Sequence, residues 1–222
     1  TAFQVRSENA GTFFAALGLI KQARNGAVDL SLVPGTGEGV WEGTLSARGG
    51  MRLKEAPTMA ALLNAITVVG LLEQMGGEGI HFEAVDARFQ ISPERITLYS
   101  MSATGASMGI SMDGYYYPDR KYMDLQGVVS PLYLVNAVGG FFSRDGEGLI
   151  GFNYALRGPT SAPVVSVNPL SALTPGMFRD VFRRSPPRLN AASSDAPDLQ
   201  EGGEEPTEQR VVNPRAKEHL GR

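Results

Sequence analysis

The sequence predicts a β-rich α+β fold, a long twisted antiparallel sheet capped by short helices. Three observations carry this reading. Residues 79–130 form a run of consecutive strand-like segments, each about ten residues long, joined by short turns. Within them apolar and polar residues alternate, so that one face of the sheet is apolar and the other wet. Helical spacing is confined to short segments outside that run.

The meander has turns of identifiable chemistry. Ser92-Pro93-Glu94, Gly105-Ala106 and Pro118-Asp119 are residue types that reverse a chain. Its second strand offers Ile96 and Leu98 on one face. The third offers Met108, Ile110 and Met112 opposite Ser107, Gly109, Ser111 and Asp113. The fourth offers Met123, Leu125 and Val129 opposite Tyr122, Asp124 and Gln126. In the first strand the apolar set moves from Ile80 and Phe82 to Phe89 and Ile91, from even to odd positions, which predicts a bulge near Ala84-Val85.

Before the meander, residues 2–6 read as the end of a strand. Asn9 is a candidate N-cap for a helix with Phe13, Leu17 and Ile20 on one face, stopped by Asn25-Gly26. Val28, Leu30 and Leu32, the glycine-rich turn 35–39, and then Trp41, Gly43, Leu45 and Ala47 predict a hairpin with one apolar face, extended by Met51 and Leu53. From Thr58 to Leu72 no charged residue occurs, and Met59, Leu62, Leu63 and Ile66 follow helical spacing. This reads as a buried helix, with contact to lipid as the alternative; at about 15 residues it is too short to cross a bilayer.

After the meander, residues 132–142 form an apolar run read as a helical turn or two over the sheet. Ile150, Phe152, Tyr154 and Leu156 alternate with small and polar residues, and Gly158-Pro159 is expected to turn the chain into Val164 to Val167. Asn168-Pro169 and Thr174-Pro175 each predict a helix start. The second helix carries Met177, Phe178, Val181 and Phe182 on one face and Arg179, Arg183 and Arg184 near its end, where cations suit the helix dipole. Residues 1–184 are therefore one domain. The Pro-, Ser-, Glu- and Gly-rich segment 185–222 is expected to be a disordered tail.

With 20 basic and 23 acidic residues and a net charge of -3, the chain has no basic field that would make nucleic acid a main partner. The absence of cysteine removes disulfides, thiolate nucleophiles and cysteine metal sites. There are two histidines, His81 beside Glu83 and His219 in the tail, little material for a hydrolase triad or a histidine metal centre. Asp113, Asp119, Asp124, Asp145 and Glu147 fall at turns or on the wet face and read as solvated charge. A Gly-Glu-Gly triplet begins at residues 37, 77 and 146, but each leads into a predicted strand and not into the helix that a phosphate-cradling loop requires. No catalytic residue, metal or cofactor is expected. A chain that opens on Thr1, in what reads as the end of a strand, is expected to be cut from something longer.

Three runs carry a resemblance: residues 127–136 (Gly-Val-Val-Ser-Pro-Leu-Tyr-Leu-Val-Asn), residues 146–154 (Gly-Glu-Gly-Leu-Ile-Gly-Phe-Asn-Tyr) and residues 167–179, which contain Asn168-Pro169-Leu170-Ser171 and Thr174-Pro175-Gly176. Together they resemble the C-terminal region of the AsmA-like envelope proteins of the TamB and YhdP type. The likeness extends over residues 7–184, with Ser130 at a position where proline is more usual. The resemblance implies a periplasmic protein of the Gram-negative envelope, held at the inner membrane by a segment outside this chain. Its sheet would curl into an apolar-lined, β-taco-like groove that conducts phospholipid toward the outer membrane. Candidate liners of that groove are Phe82, Phe89, Ile96, Leu98, Met108, Ile110, Met112, Met123 and Leu125. Residue pattern alone favours an ordinary core behind these side chains, and only the resemblance favours a lipid path. A rival reading is a docking or assembly module that receives strands of an outer-membrane or periplasmic protein partner on an open sheet edge. An enzyme acting on envelope lipid or glycan is disfavoured by the missing catalytic constellations.

Overall fold

Alternation in the sequence becomes a single sheet. The computed structural model describes residues 1–16, 23–54, 62, 79–131, 151–168, 170–171 and 183–188. In chain order the elements are β1 (Phe3–Ser7), α1 (Ala10–Ala16), β2 (Ala23–Arg24), β3 (Ala27–Pro34), β4 (Trp41–Leu53), β5 (Ile80–Ile91), β6 (Ile96–Thr104), β7 (Met108–Tyr117), β8 (Tyr122–Pro131), β9 (Phe152–Pro159) and β10 (Val164–Asn168). All strands pair antiparallel in the order β1, β3, β4, β5, β6, β7, β8, β9, β10, with the two-residue β2 alongside β4. The protein is mostly β. The sheet is neither closed nor strongly curled, so these strands by themselves do not form the curled groove expected from the resemblance.

Local chemistry accounts for the elements. The Asn9 side chain accepts the Thr12 backbone N–H at 3.1 Å, capping α1 as its sequence position requires. The turn between β5 and β6 is held by Ser92, whose hydroxyl donates to the Arg95 carbonyl at 3.0 Å and accepts the Arg95 N–H at 3.2 Å. Asn168 likewise accepts the Leu170 N–H, at 3.1 Å. β9 runs through Pro159, so the chain reverses after that residue and not at Gly158-Pro159.

The irregularity expected at Ala84-Val85 is real but sits on the facing strand. The β4–β5 register shifts between Arg48 and Met51, opposite Phe82 to Ala84, where Gly49 and Gly50 take φ of 80° and 81°. Left-handed backbone at two successive residues suits glycine, and it re-aligns Met51 with Phe82. A second bulge, with no counterpart in the sequence reading, lies in β6. Arg88 pairs with Ser100 and Phe89 with Leu98, leaving Tyr99 as the extra residue.

Because directly paired residues share a face, the register assembles transverse apolar rows. One row runs Val28, Ala47, Val85, Ala103, Ile110, Val129 and Phe152 across β3 to β9. All but Phe152 are buried, in one cluster with Ala10 and Phe14 of α1 and with Leu62. Leu62 lies in the charge-free segment, and its burial agrees with a covered position there; the rest of that segment, the run 132–142 and the predicted helix 174–182 lie outside the described residues.

Candidate functional site

The apolar face is sealed at one end and open toward the other. Beyond the buried row come Leu30, Leu45, Ala87, Met101 and Met112, all half-buried, then Leu32, Phe89, Leu98 and Leu125, then Trp41, Ile91, Ile96, Tyr116 and Met123. The candidate liners divide along this gradient. Phe82, Met108 and Ile110 are 3%, 0% and 2% exposed and belong to the core beside α1. Phe89, Ile96, Leu98, Met112, Met123 and Leu125 are half-buried on the open part of the same face. Phe89 is flattened onto the sheet. Its ring lies over Gly43, where an added Cβ would come within 2.3 Å of it.

The face expected to be wet is covered in part. Asp113 and Asp124, read from sequence as solvated, are 3% and 5% exposed. Residues 183–188 lie over them in irregular conformation, while the helix expected just before Arg183 and Arg184 lies outside the described residues. Arg183 pairs with Asp113, and both side chains are 4% exposed. Arg184 donates to both oxygens of Asp124 at 2.8 Å, and Arg157 of β9 donates to the same carboxylate at 3.0 Å. Gln126 completes the attachment: its amide donates to Asp113 and to the Arg184 carbonyl, and its oxygen accepts the Arg184 N–H. Asp113, Asp124 and Gln126 occur on alternate sheet positions in the sequence, and the two arginines are adjacent. That pattern was the available signal, but the pairing spans 58 to 70 residues and is decided by the fold.

Between β7 and β9 the packing is equally specific. The Tyr154 hydroxyl crosses Gly127 and donates to the Ser111 carbonyl at 2.9 Å. A Cβ at residue 127 would meet that carbonyl oxygen at 1.9 Å and the Tyr154 hydroxyl at 2.8 Å, so this crossing point admits only glycine.

On the uncovered part of the polar face, Arg48 donates to both Asp86 oxygens at 2.8 and 2.9 Å. At the sheet edge, hydrogen bonds from Gln4 and then Arg6 hold the Asp29 carboxyl below its ordinary pKa. Burial, followed by the nearby Glu42 carboxylate, pushes the Tyr99 phenol up. His81 is exposed. Among the described residues no cluster of three metal-ligating side chains occurs and no helix is long and apolar enough to cross a membrane.

The sequence matches no family model, and no curated protein or solved structure matches it.

Proposed function

We propose that this chain is the C-terminal segment of a periplasm-spanning AsmA-like protein that conducts phospholipid between the inner and outer membranes. The observation that carries this reading is the gradient on the apolar face: one transverse row sealed, and Leu98, Met112, Met123 and Leu125 half-buried in the rows beside it, whose β9 ends at Tyr154 and Leu156 are buried. The three motif runs, the last containing Asn168-Pro169-Leu170-Ser171 and Thr174-Pro175-Gly176, support it from the sequence. In this reading acyl chains lie against the open rows and headgroups stay in water. Burial supplies roughly 0.8 kcal/mol per CH₂ group. Apolar contact is non-directional and methionine adapts to variable shapes, so a chain slides between nearly equivalent positions. The ten strands form a weakly curved wall of the apolar-lined groove, and no side chain acts as a catalyst.

Lipid extraction and mass spectrometry of protein purified without detergent test the proposal. Bound phospholipid, displaced by Leu125→Asp in a chain that still folds, is the expected result. Protein that carries no phospholipid and takes up no fluorescent lipid would sink it.

The docking reading rests on a separate observation. β1 and β10 end the sheet, and Phe3 and Val164 there are 51% and 69% exposed. Strand addition at such an edge predicts crosslinks from β10 to protein and none to lipid.

A further inference from the structure

On the polar side of the sheet, away from the acyl face, two contiguous grooves of 870 and 970 Å³ run across β3 to β7. They share Thr44, Arg88 and Tyr99. The β6 bulge creates this junction. With Leu98 and Met101 both on the apolar face, the bulge residues Tyr99 and Ser100 line the polar side together, which adds an aromatic ring beside the hydroxyls and charges there.

The charges around the junction are almost all committed. Asp29 is held by Arg6 and Gln4, Asp86 by Arg48 and Asp113 by Arg183. Glu42 accepts the Gln90 amide at 2.7 Å, and Arg95 lies over the Tyr115 ring. Arg88 and, at the far end of the second groove, Glu94 are the exceptions; among the described residues the Arg88 guanidinium has no carboxylate partner, and its neighbours across the strands are Thr44 and Ser100. A guanidinium beside two hydroxyls matches a carboxylate or phosphate by a forked, charge-assisted contact. An aromatic ring bordered by groups that both donate and accept matches a sugar, whose C–H face stacks while its hydroxyls exchange hydrogen bonds.

We propose that these grooves bind an acidic saccharide, with Tyr99 as the stacking platform, Arg88 on the carboxylate or phosphate, and Thr44 and Ser100 on ring hydroxyls. The site lies on the opposite face from the proposed acyl path and does not depend on it.

Calorimetric titration of the whole chain with a galacturonic acid trisaccharide, the matching neutral galactose trisaccharide, glucose 6-phosphate and inorganic phosphate tests this. The uronate or the sugar phosphate should bind at least about tenfold more tightly than the neutral sugar, the stronger of the two identifying the anion. Inorganic phosphate should bind more weakly than both. Arg88→Gln, an exposed and conservative change checked for folding by circular dichroism, should bring the acidic ligand down to the affinity of the neutral one, and Tyr99→Ala should weaken both. Binding of inorganic phosphate as tight as that of the acidic sugars, indifference to Arg88→Gln, or no binding of any acidic sugar would overturn the proposal.

Discussion

Asp113 on β7 and Arg183, seventy residues further along the chain, form an ion pair with each side chain only 4% exposed. Together with Arg184 on Asp124 it fastens residues 183–188 across β7 and β8. Two buried charges are tolerable only while each has its partner. Asp113→Ala should therefore cost about 1.5 to 3 kcal/mol, the loss of a charge-assisted contact to a buried guanidinium. Urea denaturation measures it. A loss below about 1 kcal/mol would mean that Arg183 is solvated in the native protein.

Tyr154→Phe removes one hydrogen bond and leaves the ring in place over Gly127. The expected loss is about 1 kcal/mol. Gly127→Ala should cost more, because its Cβ would collide with the Ser111 backbone, and strand backbone cannot retreat as a side chain can. Equal stability of the two variants in denaturant titration would contradict the close approach.

The gradient on the apolar face separates two substitutions of similar chemistry. Ile110→Asp puts a carboxylate where exposure is 2% and should unfold the protein or cost more than about 4 kcal/mol. The resemblance alone would make Ile110 a liner of an open groove, where this change would be tolerated. Leu125→Asp, at a half-buried position, should leave a cooperative thermal transition in place. Calorimetric scans that show both variants folded, or both unfolded, would erase the distinction between core and open rows.

Asp29 ties β3 to β1 through Gln4 and Arg6. Its folded-state pKa lies below the unfolded value of about 3.9, so the carboxylate stabilises the native state fully above that value. That contribution is lost as pH falls through the lower folded value. Asp29→Asn should therefore speed hydrogen exchange of β1 at neutral pH, where the wild-type carboxylate contributes fully, with the two proteins converging as pH falls below about 4. An unchanged acid profile in the variant would remove Asp29 from this role.

Much of the sheet was legible in the sequence because its determinants are local. Alternation assigns Met108, Ile110 and Met112 to one face of β7 and Ser111 and Asp113 to the other, and the register bears this out. Asn9, Ser92 and Asn168 act on backbone groups two or three residues away, so their roles can be read from spacing. The candidate site was legible only as a face. A period of two says which way a side chain points, and nothing about what lies above it.

By itself, then, the sequence determined the strands, their apolar side, and the turns and caps that join them. The tertiary structure alone decided that α1 and Leu62 close one end of that side while the rows around Leu98 and Leu125 stay half-buried. It also decided that Arg183 and Arg184 pair with Asp113 and Asp124, and that a bulge turns Tyr99 toward the polar grooves. The physical reason is the same in each case. Burial and charge pairing depend on residues brought together from distant parts of the chain, and no local pattern specifies which of several chemically suitable partners will arrive.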